Sequence, residues 1–503
     1  MNPVQLSLPI DEFLARPHAT GIPRHRRIFC NRNLRMSTIA WVGFDMDYTL
    51  AIYDQREMDE LSIRATIAKL VERGYPSFIR SIAYQTAFPV RGLLIDKRFG
   101  HILKMNRYKF VTKGYHGLRE LAKDELRQLY HSKKIRPATP RYHWIDTLYA
   151  LSEAALYAAL VEAMEQRGLA IDYAKTFNDI RESIDEAHRD GTILETVASD
   201  FPRYVHRDPE LAPTLHKLRS AGKRLFLLTN SRWSYTNKMM SYLLDGAMSE
   251  YPHWRNYFDV VIVAAMKPAF FQERRPLLEQ SGSELVAAAL PLERGKIYEG
   301  GNLQDLERAL GAAGDEVLYV GDHIYGDILR SKKESAWRTA MIIQELEGEV
   351  RAHDSCHEDF ARSERLEDVR DRLEDELRFY QARYKELSRR IDHATSTKSN
   401  GLRVADAEEE RVRIKRAIDR VRARLRLVDG ELHLIERRID QRFHPYWGSL
   451  LKEENEESSF GSQVEEYACL YTSRVSNFLL YSPQQYFRSP RDEMAHELER
   501  GPG

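Results

Sequence analysis

Cysteine is scarce in this chain of 503 residues: there are three, Cys30, Cys356 and Cys469, odd in number and far apart. That argues against a disulfide framework and fits a reducing compartment, so the expected location is the cytoplasm. Long hydrophobic runs are also missing. No window offers about 18 uninterrupted apolar residues, and the start, MNPVQLSLPIDEFLARPHATGIPRHRR, lacks the pattern of a leader, so neither secretion nor a membrane span is expected. Charge of one sign is not in excess either. Lys plus Arg and Asp plus Glu are 76 each, a formal net charge of zero, which removes any general electrostatic reason to bind nucleic acid or an anionic membrane. Histidine and cysteine do not cluster at metal-ligand spacing; HDSCH at 353–357 has no second ligand pair and reads as a surface loop.

What is present is a hydrophobic fraction of 43%, enough for an ample core, in a chain long enough for two or three structural units. Four compact apolar runs end in polar residues: STIAWVGFDMDYT, GKRLFLLTNSRW, FDVVIVAAMKPAFF and DEVLYVGDHIYGD. Unbroken β-branched and aliphatic runs suit a parallel sheet covered on both faces, and helical patterns such as APTLHKLRSAG and QDLERALGAAG supply the crossovers. The predicted fold is a doubly wound α/β sheet. Ligands of such sheets bind at the carboxyl ends of the strands, which should gather Asp45, Asp47, Thr229, Asn230, Lys267, Asp322 and Asp327.

Between the first run and the second lies an insertion over 54–205, too long for one crossover helix. Its second half is helical by period, so it is expected to be a mostly helical cap domain, leaving 1–53 and 206–345 as a discontinuous catalytic core. From 346 to 503 a third segment follows. Spaced aliphatics from Leu366 to Ile391 and from Ile414 to Ile439 predict two helices joined by the polar turn HATSTKSNGLR, an antiparallel hairpin with one apolar seam. Its arginines are interleaved with acids and read as a solvated face. The aromatic tail SSFGSQVEEYACLYTSRVSNFLLYSPQQYF is expected to dock on the core or on another subunit.

Taken alone, DMDYTL could begin a turn or cap a helix, TNS could be a helix cap, and Lys267 could be a surface lysine. Together, each at a strand end, they support one chemistry. Two acidic strand ends side by side repel unless a cation neutralises them, and carboxylate and carbonyl oxygens without histidine or cysteine select Mg²⁺. With that ion, Asp45 can attack phosphorus to form an aspartyl phosphate, and Asp47 can protonate the leaving oxygen and later activate water. Lys267 would offset the growing negative charge while Thr229 holds phosphate oxygens.

These four motifs, DMDYT, LLTNS, MKP and GDHIYGD, resemble those of the haloacid dehalogenase (HAD) superfamily, in which the second aspartate marks phosphatase-type members. Longer strings, FDMDYTLAIY, TAFPVRGLLID, FNDIRESIDEAH, TNSRWSYTNKMMSYL and YVGDHIYGDILRSKKESAWRT, look like the cytosolic purine 5′-nucleotidases that prefer IMP and GMP. The resemblance implies a HAD-like core with an inserted cap and a Mg²⁺ site at Asp45, Asp47 (through its carbonyl), Asp322 and Asp327. It implies phosphate held by Thr229, Asn230, Ser231 and Lys267, and a purine read by Arg181, Asp185 and His188 with Tyr149 stacking. For Arg181 and Asp185, the i, i+4 spacing suits a helix ion pair equally well. Leu194 stands where animal members carry lysine, which leaves base preference open. The expected activity is hydrolysis of purine nucleoside 5′-monophosphates, with phosphoryl transfer to another nucleoside as an extension. The resemblance also implies a homo-oligomer, dimer or tetramer. A phosphatase of another small ester, and more remotely a non-catalytic scaffold using the hairpin, are the rival readings.

Overall fold

The computed structural model describes residues 21–131, 135–281, 284–329, 335–396, 401–453 and 455–491. Its chain divides into two compact units, one ending at Glu347 and resuming at Ser459, the other Gly348–Ser458. The first is built on a ten-stranded sheet in the order Phe29–Cys30, Leu470–Thr472, Arg338–Ile342, Val317–Gly321, Trp41–Phe44, Arg224–Leu228, Val260–Val263, Tyr298–Gly300, Leu277–Ser281 and Glu284–Ala287. From Leu470–Thr472 to Tyr298–Gly300 all neighbours are parallel; antiparallel strands close both edges.

The four apolar runs form four adjacent central strands, and their side chains are buried throughout except at Arg224. Continuous burial is the reason the runs show no alternation. On one face an aromatic cluster of Trp41, Phe226, Tyr319 and Trp337 packs with Ile262, Phe270 and Leu306. The Trp41 indole N–H donates to the Leu310 carbonyl (3.1 Å), so the one polar atom of that buried ring is satisfied. Helix Leu303–Leu310 starts where Asn302 accepts from the Asp305 N–H, an ordinary side-chain N-cap.

The insertion leaves the sheet through Ile52–Tyr53 and returns through Val205–His206, and these two strands pair antiparallel. Asp54 opens its first helix, Gln55–Glu72, by accepting from the Glu57 N–H. Helices Leu151–Glu165 and Tyr173–Arg189 pack against it. Helices supply most of the regular structure, yet the insertion also holds a five-stranded antiparallel sheet that the sequence reading did not contain: Arg119–Glu120, Val111–His116, His101–Met105, Leu93–Asp96 and Tyr142–Ile145. Every residue of Leu93–Asp96 and His101–Met105 is buried, polar ones included, so neither strand shows the period of two that betrays a half-exposed strand.

After Ser459 the chain re-enters the first unit. Leu470–Thr472 lies parallel to Arg338–Ile342, and Tyr486–Phe487 pairs with Leu34–Arg35. The second unit is dominated by two long helices, His357–Ser396 and Gly401–Phe443, packed antiparallel through Leu387, Ile414 and Ile418 with Leu377, Tyr380 and Tyr384. The centre of the polar turn between them, 397–400, and the stretch 330–334 after GDHIYGDIL lie outside the described residues. Among the described residues no helix is long and apolar enough to cross a membrane.

Two outcomes follow from this packing. A Cβ at Gly43 would fall 2.0 Å from the buried Phe226 ring, which has no room to turn aside. Gly43→Ala is expected to cost about 1–3 kcal/mol of stability, read from denaturant unfolding. Asp59 is buried in the first helix of the insertion, where it accepts one hydrogen bond from Gln55 (2.9 Å). Burial pushes its carboxyl up to about 8. The unfolded carboxyl titrates near 3.9, so the folded chain holds the extra proton between about pH 4 and pH 8, and the stability from this group is lost as pH rises across that window. Asp59→Asn should flatten that decline, seen as a gain in melting temperature at pH 8 that shrinks toward pH 5.

Candidate functional site

Asp45 follows directly on the Trp41–Phe44 strand, and its N–H still bonds across to the Val320 carbonyl (2.9 Å), so the sheet itself fixes where the side chain starts. Asp322 follows the neighbouring strand Val317–Gly321, and Asp327 returns to the same place from the short helical turn Ile324–Leu329. A glycine precedes Asp322 for a steric reason: a Cβ at Gly321 would lie 2.6 Å from the Asp327 side chain. Oxygens of Asp45, Asp322 and Asp327 all lie within 4.8 Å of one another, and all three residues are buried.

The Lys267 ammonium faces this trio, 2.9 Å from Asp45 and 2.7 Å from Asp327, and also donates to the Tyr319 hydroxyl (2.9 Å). Burial alone would lower the lysine, but Asp327 and Asp45 hold it well above its ordinary value, so it stays charged. One ammonium does not balance three carboxylates. Burial pushes Asp45 well up, and Asp327, Asp322 and Asp47 add to the push against Lys267. Asp322 rises to about 7, through burial and then Asp327, despite Arg91, His323 and Lys267. A hard divalent cation would reverse both shifts, and an all-oxygen, buried donor set is what Mg²⁺ takes.

Asp47 is held apart from the trio. It accepts from the Tyr53 hydroxyl (2.6 Å) and from the Ser231 hydroxyl (2.7 Å), and burial raises its carboxyl although both bonds and Lys267 oppose the rise. Tyr53 in turn meets the Tyr235 hydroxyl at 3.0 Å. Thr229 is fully buried at the end of the Arg224–Leu228 strand, where its hydroxyl oxygen accepts from the Ser231 N–H (3.1 Å). The Asn230 amide is engaged with backbone on both sides, donating to the Lys267 carbonyl (2.9 Å) and accepting from the Lys267 N–H (2.6 Å). Asn230 therefore clamps the loop that presents the lysine. Non-glycine residues with positive φ are rare and strained, and here Tyr48 (55°), Ala264 (46°) and Met266 (60°) flank the site.

The four residues expected to read a base sit in the insertion. Tyr149 meets Tyr48 edge-on (centroids 4.7 Å apart) and His188 edge-on (5.6 Å). Arg181 forms no ion pair with Asp185; its guanidinium reaches His143 (2.8 Å) and Glu153 (3.8 Å) instead. Burial raises Glu153 to about 7, Arg181 notwithstanding, and one of its oxygens has no hydrogen-bond partner.

Sequence reasoning missed several residues. Arg91, from the insertion, is buried, donates to the Asp322 carbonyl (3.1 Å) and forms a two-pronged pair with Glu345 (2.8 and 2.6 Å). His323 faces Asp146 of the insertion at 3.5 Å. Tyr53 and Tyr319 sit within apolar strand ends, where an aromatic reads as core. Only Arg91 had a signal, as an arginine inside the otherwise apolar string FPVRGLLI.

An Asp-x-Asp strand end, a hydroxyl, a lysine and an acidic pair, brought together on adjacent parallel strands, define the phosphate-transferring class of HAD proteins. Within that class the chain belongs to the 5′ nucleotidase family, whose profile matches residues 28–499. It is 29% identical over 483 residues to the 5′-nucleotidase domain-containing protein DDB_G0275467 of Dictyostelium discoideum, covering 94% of this chain and 75% of that one. It is 33% and 32% identical over 352 residues to 5′-nucleotidase domain-containing protein 2 of Rattus norvegicus and Homo sapiens. Those matches cover 67% of this chain but 63% and 66% of the two mammalian proteins, less than two thirds of their length. Among solved structures, a HAD phosphatase from Thermococcus onnurineus gives a TM-score of 0.23 at 15% identity, over 61% of this chain and 87% of that one. At that distance the superposition adds nothing to the assignment.

Breaking the Arg91 pair leaves Glu345 without its partner and the Asp322 carbonyl without a donor. Arg91→Ala should lower stability by about 3 kcal/mol, with Arg91→Lys costing less, as read from denaturant midpoints.

Proposed function

We propose that this chain is a Mg²⁺-dependent hydrolase of nucleoside 5′-monophosphates that works through a phosphorylated Asp45. Its family is one of phosphoric monoester hydrolases. The observation that carries the reading is the partition of the aspartates: Asp45, Asp322 and Asp327 close on one another and on Lys267, while Asp47 is held separately by two hydroxyls.

Mg²⁺ held by Asp45, Asp322, Asp327 and the Asp47 carbonyl would supply the positive charge that keeps these carboxylates ionised and draws in a phosphate oxygen. The chain's own residues do the rest. Asp45 attacks phosphorus, the bond from phosphorus to the ester oxygen breaks, and that oxygen takes a proton from Asp47. The nucleoside leaves. Water then attacks the aspartyl phosphate, passing its proton to Asp47, and inorganic phosphate departs with Asp45 restored. The raised carboxyl of Asp47 suits it to carry the first proton. Lys267 offsets charge on the transferring group, Asn230 keeps its loop in place, and Thr229 and Ser231 line the phosphate position.

The substrate reading is narrower. IMP and GMP are the proposed substrates, with Arg181, Asp185 and His188 addressing the base edge and Tyr149 stacking on it. Acceptance of the phosphoryl group by a second nucleoside belongs to the same proposal, as do a cytoplasmic setting and a homo-oligomer. Asp45→Asn should abolish phosphate release while circular dichroism stays native; retained turnover would sink the nucleophile assignment. A panel of nucleotides with Mg²⁺ or EDTA tests the rest. Arg181→Ala and Asp185→Asn should lower kcat/KM for IMP and GMP by about tenfold or more, the scale of one to two lost hydrogen bonds, and spare an aryl phosphate. Equal losses on both would favour a phosphatase of another small ester.

A further inference from the structure

The two-helix hairpin divides its charge unevenly. Between Arg411 and Arg426 the second helix has eight basic residues and one acid, Asp419, while between Glu367 and Glu376 the first has six acids and two basic residues. The interleaving of opposite charges along the hairpin as a whole therefore fails over this stretch, and ion pairs do not restore it. Arg413 meets Glu409 (2.9 Å). Among the described residues Lys415, Arg416, Arg420, Arg422, Arg424 and Arg426 have no acidic partner, and all of them are exposed.

Helical spacing sorts this segment into rows, because steps of three, four, seven and eleven keep residues on one face. Ile414, Ile418, Val421, Leu432 and Ile435 are buried and make the seam toward the first helix. Arg411, Lys415, Arg422 and Arg426 form a row on one side of that seam, and Arg413, Arg416, Arg420 and Arg424 a row on the other. Opposite the seam, between the two basic rows, stand Val412, Ala423, Leu427 and Leu434. Leu427 is 72% exposed, Leu434 58% and Val412 47%. A helix of a hairpin needs one apolar line; this one has a second, which points at solvent. The first helix also exposes an aromatic, Phe379, but the residues one turn before it are Asp375 and Glu376. One edge of the hairpin is thus apolar and basic, and the other carries the acids.

We infer that the segment from Arg411 to Leu434 docks on an anionic phospholipid surface, lying in the plane of the interface with Val412, Ala423, Leu427 and Leu434 toward the lipid. An apolar line flanked by lysine and arginine is the pattern of a helix that lies on a membrane and does not cross it. The two basic rows straddle that line, their aliphatic stems lying along the interface while their charged ends reach phosphates on either side. At about 1.5 Å per residue the segment runs for ~35 Å, and a cluster of about four to eight basic residues is what anionic headgroups attract. The seam stays with the first helix, so the hairpin docks folded, and the acidic edge is turned away by the same charge that draws in the basic one. A formal net charge of zero for the whole chain does not oppose this, because only charges within about a Debye length of the surface contribute. Nucleic acid would also take the basic rows. It would leave the apolar line in water, and the segment has no Phe, Tyr or Trp on which an unpaired base could stack. A lipid surface uses both the charge and the apolar line.

Co-sedimentation of the full chain with phosphatidylcholine vesicles, with and without about 30% phosphatidylserine, tests this. The wild type should bind the vesicles that contain phosphatidylserine and leave pure phosphatidylcholine alone. Binding should weaken as salt rises from about 0.1 M to 1 M and the screening length falls from about 10 to 3 Å. Arg422→Glu with Arg424→Glu, one from each basic row, should lower vesicle affinity by about tenfold or more. Leu427→Gln with Leu434→Gln should also lower it by about tenfold, with helix content by circular dichroism unchanged in both variants. A wild type that ignores both kinds of vesicle overturns the inference, whether the segment then takes an oligothymidylate or a second copy of the chain. So does vesicle binding that either pair of substitutions leaves intact. Oligothymidylate binding that is lost with the arginine pair and kept with the leucine pair, without vesicle binding, would assign the basic rows to nucleic acid instead.

Discussion

The constraint on which the rest of the first unit depends is electrostatic: three carboxylates share a buried space with one lysine. Nothing in strand propensity asks for this. Two parallel strands must lie side by side so that Asp45 and Asp322 emerge together, Gly321 must lack a side chain so that Asp327 can close in, and Lys267 must arrive from a third strand. Burial makes each of these charges costly, and burial also makes the lysine's field strong. The same low dielectric penalises the cluster wherever one of its charges is left unmatched.

Supporting contacts radiate outward from that cluster. Asn230 holds the lysine's loop, Tyr319 occupies the gap beneath the ammonium, and Arg91 ties the Asp322 carbonyl to Glu345. The three strained residues Tyr48, Ala264 and Met266 lie at the same strand ends, where the backbone is bent to aim side chains. Asp47 escapes the crowd because two hydroxyls take its oxygens. The result is a pair of aspartates two residues apart with different electrostatic lives.

The strands and the residues at their ends were legible in the sequence because each is a local pattern: an unbroken apolar run, then a polar residue. Arg91 was not, since its partner Glu345 is 254 residues away and no local rule links them. The insertion's sheet escaped notice because its central strands are buried on both faces and so lose their alternation. Asn230 shows a subtler gap. Its place at the strand end was evident from LLTNS, but the engagement of both amide atoms with the lysine's backbone depends on a loop 37 residues on. For Arg181, spacing allowed an ion pair with Asp185 or presentation of both side chains to a base edge, and the guanidinium instead packs against His143 and Glu153, contacts that no local spacing rule anticipates.

The insertion enters and leaves the sheet through one small antiparallel pair, Ile52–Tyr53 with Val205–His206. In topological terms it is a side branch whose two ends nearly touch, and closing such a gap directly would need only a short turn. The central strands pair without any of its residues. The carboxylate cluster, by contrast, borrows from it: Arg91 and Asp146 reach back toward Asp322 and His323, and Tyr53 stands at the doorway itself with its hydroxyl on Asp47. The sheet can be regarded as self-sufficient architecture, whereas the candidate site is composite, assembled only when branch and trunk are folded together.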